Sequence, residues 1–440
     1  MTNPNSSRAE SILLDALQQE AFSYFQHETN PANGMVLDKT ENDWPASIAA
    51  IGLGLSCYPV AVERGLMTRA AAIRLTLVTL RFFAQSADGP GPDATGYRGF
   101  YYHFLDMKTG RRAHNCEVST VDTALFLAGA LVAAAYFTRS DGDEAEIRDL
   151  ADQLYRRVDW QWALDSRATI AQGWLPGTGF VNYGYEGYDE ALILYLLGLG
   201  APASELSAAS YSAWLSSYEW KRVYDIDFLY AGPLFTHQLS HIWADFRGIQ
   251  DSYMREKGID YFENSRRATC IQQRYAMANP LNFRGYGEFA WGITASDGPG
   301  ETTIRIDGVE RHFHDYVARG VPFGPDDGTL APWAVVASLP FAADIVLPTI
   351  ERLDKQDLRG DHRYGFSSTF NRTFPGKAGG PSGWVSPFHF GLAQGPIMLM
   401  IENYRTGLIW ELMRGCPYLT TGLRRAGFSG GWLADVRSEK

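Results

Sequence analysis

The sequence predicts an all-α fold, a single (α/α)6 toroid spanning residues 1–440, with long loops and a few short strands around a cleft. Apolar residues recur with helical period in about twelve segments. These segments follow one another in pairs along the whole chain, and a helical pair repeated about six times suits an inner ring packed against an outer one. No Ser/Gly-rich linker and no break in composition divides the chain into separate domains.

Taken in order, the periodicity gives helices near 7–27, 46–64, 68–86, 120–139, 142–164, 188–200, 204–217, 234–248, 250–278, 332–338, 341–355 and 396–414. The helix at 120 has the clearest start, because Ser119 followed three residues later by Asp122 reads as a capping box ahead of an apolar run. Four connections, 87–118, 165–187, 280–331 and 356–395, are too long for turns and too rich in Trp, Tyr, Phe and Gly for disorder. They are expected to build one face, with short strands around 300–306 and 310–318.

Composition excludes several function classes. The 440 residues are 45% hydrophobic and 20% charged, ordinary for a globular chain, and a net charge of −11 argues against nucleic acid and anionic membranes. The four cysteines, Cys57, Cys116, Cys270 and Cys416, form no CxxC pair and give no disulfide framework. The N-terminus lacks a basic segment followed by an apolar one, so the protein is expected to be cytoplasmic, or exported after removal of a leader. The apolar run 121–137 is too short for a membrane span and carries Asp122, so no membrane insertion is expected.

Two helix starts concentrate carboxylates. Glu117 precedes the helix at 120 on a connection, where a rigid scaffold positions functional groups, and no periodic core role accounts for it. Asp122 has a sufficient role as the cap and a candidate catalytic one. Residues 184–200, GYEGYDEALILYLLGLG, repeat the arrangement, with Glu186, Asp189 and Glu190 at or just before the first turn. Carboxylates rimmed by Tyr and Trp suit a sugar, whose C–H faces stack on aromatic rings while its hydroxyls hydrogen-bond.

DWP at 43–45 with IAAIGLGL, YYHFLDMKTGRR, EVSTVDTALFLAGAL, GYDEALILYLLGLG, PLFTHQLSHIWADFR, DYFENSRRAT, WGITASDGP, DGTLAPWA, YGF and QGPIMLMIENYRTGLIW occur in that order from about residue 43 to 410. In these segments the chain resembles the bacterial glucoamylase-like family that contains the endo-β-1,2-glucanases and is related to the cyclisation domain of cyclic β-1,2-glucan synthases. The resemblance implies the toroid and a glycoside hydrolase, which needs one carboxylic acid to protonate the leaving oxygen and one carboxylate to activate water or attack carbon. Glu190, beside Asp189 and an apolar helix and matching the family's G-Y-x-E-A motif, is the candidate acid. Glu117 and Asp122, matching E-x-S-T-x-D-T-A, would carry the base or hold substrate and water.

For substrate binding the resemblance implies Trp44, Tyr102, His103, Tyr188, Asp189, His237, Gln238, His241, Arg247, Trp291, Asp297, Asp327, Glu402 and Tyr404. His237 and His241 have the i,i+4 spacing of zinc ligands, but the Glu of HExxH and further ligands at familiar spacing are missing, so sugar binding or a structural role is the reading and no metal is expected. No cofactor is expected either: WGITASDGPG and DDGTLAPWA lack the P-loop pattern, and no G-x-S-x-G elbow is present. Two acidic positions of the family pattern are replaced, by Ser368 in YGFSSTFN and by Ala393 in LAQGP, and GAPASE after Leu199 departs from the family's GSPTHP. The expected activity is inverting hydrolysis of β-1,2-glucan or its oligosaccharides. The alternatives are a transglycosylase, a glycosidase of the same fold for another linkage, or a non-catalytic sugar-binding relative.

Overall fold

The apolar runs fold as helices in the computed structural model, which describes residues 4–356, 358–361, 363–376 and 383–436. The first eight are α1 (Pro4–His27), α2 (Ile48–Glu63), α3 (Arg69–Gln85), α4 (Thr120–Tyr136), α5 (Gly142–Arg156), α6 (Leu192–Gly200), α7 (Ala208–Leu215) and α8 (Leu239–Trp243). The rest are α9 (Ser252–Lys257), α10 (Tyr261–Ala278), α11 (Pro332–Ala337), α12 (Ala343–Asp354), α13 (Gly391–Arg405), α14 (Leu408–Arg414) and α15 (Pro417–Arg425). The protein is mostly helical. Within the predicted loop 356–395, residues 357, 362 and 377–382 lie outside the described residues.

Several boundaries differ from expectation for local reasons. The helix predicted over 250–278 is two, because Gly258 turns the chain in the left-handed region at φ 71°. Gly407, at φ 72°, likewise divides α13 from α14. The helix expected at 188 starts at Leu192, since the Asp189 carboxylate accepts the Ala191 amide at 2.9 Å and holds a turn in place of a helical one. The segment 234–248 is a 3-10 turn, Leu234–His237, followed by the single-turn α8. Helix α15 was not predicted.

Burial separates central helices from peripheral ones. Every residue of α2 from Ile48 to Ala61, of α4 from Thr120 to Ala133 and of all α6 is buried, so these helices are surrounded by protein. In contrast α3 buries one stripe, Ala72, Thr76, Thr79, Leu80 and Phe83, as α5 does with Ile147, Ala151, Leu154 and Tyr155. The central contacts run from α2 to α4, α4 to α6, α6 to α8 and α8 to α13, and return from α13 to α2. The tightest is α2 on α4: a methyl group at Gly52 would collide with the Leu125 carbonyl, and one at Gly129 with the Gly52 carbonyl. The main buried apolar cluster runs from Leu14 to Leu433. No helix among the described residues is long and apolar enough to cross a membrane.

Short antiparallel strands tie the long loops together. One sheet orders Gly96–Tyr97, Phe100–Tyr102, Val118–Ser119, Gly173–Leu175 and Gly179–Phe180, so the predicted loops 87–118 and 165–187 share a sheet. The strands expected around 300–306 and 310–318 are a hairpin, Thr302–Ile306 with Val309–Phe313, and a further strand, Val317–Ala318, paired with Ala295–Ser296.

Candidate active site

The strand Val118–Ser119 runs directly into α4, and Ser119 caps that helix as its sequence predicts. The Ser119 hydroxyl accepts the Asp122 amide at 3.3 Å and donates to Asp122 Oδ2 at 2.5 Å, which fixes the carboxylate at the helix start. Across the sheet, His103 stands between two acids, with Nδ1 2.9 Å from Glu117 Oε1 and Nε2 3.6 Å from Asp122 Oδ2. Burial disfavours its charged form, but Asp122, Glu117 and Asp38 outweigh burial and push the imidazole up to about 9. The ring is therefore a cation at neutral pH. Burial likewise works against ionised Glu117, and the His103 partner overcomes it and holds that carboxyl below its ordinary range.

At the second helix start the balance is opposite. Burial, followed by the negative charges of Asp122 and Asp189, pushes Glu190 up to about 8, with only His103 pulling it down. Burial pushes Asp189 up to about 7 against the stabilising Ala191 amide. The arrangement thus sets a carboxylic acid that is protonated at neutral pH beside a carboxylate held by an imidazolium, the division of roles that acid–base chemistry requires.

Two cavities flank these groups. One, of about 340 Å³, is lined by Tyr188, Asp189 and Glu190 together with Glu186, Tyr230 and Thr236. The other, of about 390 Å³, is lined by Asp38, Trp44, His103, Asp122, Asp297, Tyr316 and Trp333 among others. Ala318 of the first cavity pairs in strand register with Ala295 of the second, so the cavities adjoin. Ser368 and Ala393, the two positions lacking the family's acids, both line the second cavity.

The structure brings Glu190, Asp122, His103, Trp44, Tyr188, Asp189 and Asp297 to these cavities. Asp297 is buried and accepts hydroxyl hydrogen bonds from Ser386 at 2.5 Å and Thr369 at 2.8 Å; burial nevertheless raises its pKa. Glu117 lines neither cavity and acts on the site through His103.

The other predicted binding residues line neither cavity, and all but Tyr404 have an evident packing role. His237 and His241 are buried in the core, against Ala231 O and Ser265 Oγ, and burial pulls their pKa values down to about 4 and about 3. Gln238 donates to Ala334 O and Ser338 Oγ, fastening α11. Arg247 forks onto Asp245 and lies over Trp410, and Trp291 donates to Thr349 Oγ1 inside the core. Tyr102 is a fully buried strand residue, Glu402 is a buried partner of Arg64, and Tyr404 is exposed outside both cavities.

Asp327 is 1% exposed and forms a bidentate pair with Arg319, 0% exposed, through two bonds of 2.8 Å. Removing one partner strands a buried charge, so Asp327→Asn is expected to lower unfolding free energy by about 3–5 kcal/mol in urea denaturation. An unchanged stability with a raised KM would restore Asp327 as a sugar ligand.

The sequence reading missed Asp38, Tyr316, Trp333 and Phe390, all on the second cavity. Asp38 accepts the Trp44 indole N–H at 3.0 Å, and burial raises its pKa. Its signal was an acid six residues before an aromatic already singled out.

Residues 182–417 match a family model described as "Putative glucoamylase". An exo β-1,2-glucooligosaccharide sophorohydrolase (non-reducing end) of Parabacteroides distasonis is 29% identical over 94% of this chain, and the chain spans 57% of that relative's length. A crystal structure from Bacteroides uniformis, of a protein with the same description as the family, has 29% identity and a TM-score of 0.84, covering 96% of this chain and 98% of that one. A β-1,2-glucanase structure from Parabacteroides distasonis has 27% identity and a TM-score of 0.81, covering 95% of this chain and 60% of that one.

Proposed function

The chain belongs to the glucoamylase-like family, and from that premise we propose that it is a glycoside hydrolase that cleaves β-1,2-glucan or β-1,2-gluco-oligosaccharides. The substrate class rests on the activities of the relatives, a sophorohydrolase and a β-1,2-glucanase. The observation that carries the chemistry is the pairing of Glu190, pushed up to about 8, with Asp122 and the His103 cation across adjoining cavities. The fold is a single-domain (α/α)6 toroid, supported by the central helix contacts that return to α2 and by the apolar cluster extending from Leu14 to Leu433.

In the proposed reaction Glu190 gives its proton to the glycosidic oxygen as the bond from that oxygen to the anomeric carbon breaks. A water attacks the opposite face of the sugar and loses its proton to Asp122, so the new hemiacetal has the inverted configuration. His103 stands 3.6 Å from Asp122 and orients it, and Glu117 helps keep His103 charged, which makes both positioning residues. Asp38, Asp297 and the aromatic rings of Trp44 and Tyr188 hold the sugars on either side.

Incubation with linear β-1,2-glucan, followed by chromatography and NMR of the first-formed anomer, tests this. New short saccharides with an α reducing end are expected. A β anomer means retention and removes the water-activating role from Asp122. Because Ser368 and Ala393 replace family acids on the second cavity, a sugar-binding protein or a transglycosylase is the competing reading. Binding without turnover, or products with redistributed linkages, would favour it.

A further inference from the structure

The register of the hairpin Thr302–Ile306 with Val309–Phe313 places four polar side chains on one face. Thr302 pairs with Phe313 and Thr303 with His312, so one step further Glu301 lies opposite His314. Side chains alternate along a strand, which sends residues 301, 303, 312 and 314 outward and Phe313 into the core, where it is fully buried. One ligand atom each of Glu301, His312 and His314 lies within 4.8 Å of the others. His312 Nε2 is 3.2 Å from Glu301 Oε2, and His314 Nδ1 is 3.4 Å from Glu301 Oε1.

We propose that Glu301, His312 and His314 form a binding site for a zinc-class divalent cation on the outer face of this hairpin. Metal–ligand bonds of about 2.0–2.2 Å in tetrahedral geometry separate neighbouring ligand atoms by about 3.3–3.6 Å; each histidine is already 3.2–3.4 Å from one Glu301 oxygen, and the three ligand atoms lie within 4.8 Å, so small side-chain rotations bring them to that spacing. Two imidazoles and one carboxylate suit Zn²⁺ and not the oxygen-seeking Ca²⁺ or Mg²⁺. The outer partner that a ligating histidine needs is also in place: Thr303 Oγ1 is 2.9 Å from His312 Nδ1, so that ring can donate its N–H there and turn the Nε2 lone pair toward Glu301. Three protein ligands leave a fourth position for water.

The site has a mechanical connection to the cleft. The His314 amide donates to Asp327 Oδ2 and its carbonyl accepts from Arg319, so the backbone here is tied to the buried ion pair. The next two residues, Asp315 and Tyr316, line the second cavity. A cation bound at the hairpin would hold the segment that carries Tyr316 onto the wall of the second cavity.

Calorimetric titration of the untagged, EDTA-treated full chain with ZnCl₂ tests the site. One equivalent is expected to bind and to raise the melting temperature. His312→Ala and Glu301→Gln, both on exposed side chains, are each expected to weaken binding at least about tenfold and to keep the melting temperature of the untreated chain. The proposal is overturned if Zn²⁺ shows no saturable one-to-one binding, if both variants bind as tightly as the parent, or if Ca²⁺ competes equally. This outcome is independent of which sugar, if any, the cleft cleaves.

Discussion

Glu190→Gln is expected to lower turnover of β-1,2-glucan by about 10²–10⁴-fold with the fold intact, the range that general acid assistance supplies. Gln keeps the shape and removes the proton. Glu190 is partly enclosed, and its elevated pKa shows an environment that already prefers a neutral side chain, so near neutral pH the substitution exchanges one uncharged group for another. Stability should hold or rise slightly. The pH profile provides a second readout. A carboxyl raised to about 8 is active as its protonated form below that pH, so parent activity should fall as pH rises through about 8, and this limb should vanish from the residual activity of the variant. A loss below roughly tenfold in kcat, or a loss matched by a fall in melting temperature, would remove Glu190 from the acid role.

Asp122→Asn should cost turnover on a similar scale, about 10²–10⁴-fold, by removing the base. The α4 cap survives because its key bond runs from the residue's own backbone amide to Ser119 Oγ. The substitution also removes a negative charge that helps to raise Glu190. The Glu190 pKa must then fall, and the alkaline limb should move to lower pH. Kinetics from about pH 5 to pH 9, with melting curves, separate this from a structural effect: a capping role alone would lower the melting temperature and leave kcat at its optimum pH within about tenfold of the parent.

Much of this site is local, and the local part was legible. Ser119 and Asp122 form a cap by sequence spacing alone, and Glu190 stands beside Asp189 at the start of a helix that is apolar on every side. Direction of burial was harder to read. His237 and His241 have the spacing of a shared helix face, but His237 ends a 3-10 turn and α8 has only five residues, so both rings are set by the core around them. Asp327 and Glu402 illustrate the same limit, because only the fold reveals that Arg319 and Arg64 neutralise them. Asp38 joins the cavity through a long-range approach to His103 that no spacing encodes. Likewise Glu301, His312 and His314 come together only through a strand register that the sequence placed approximately.

The glycine contact between α2 and α4 bears on how such a protein can change its substrate. Where two backbones touch, no layer of side chains lies between them to absorb a change in volume, so the spacing of the two helices is set by main-chain atoms. Asp122 stands on the first turn of one of these helices and inherits that spacing. Adaptation by gradual repacking is therefore closed to this wall of the cleft. New chain lengths or linkages would have to be accommodated in the connecting loops, where Trp44, Asp297 and Tyr316 sit and where an insertion need not displace the candidate carboxylates Asp122 and Glu190.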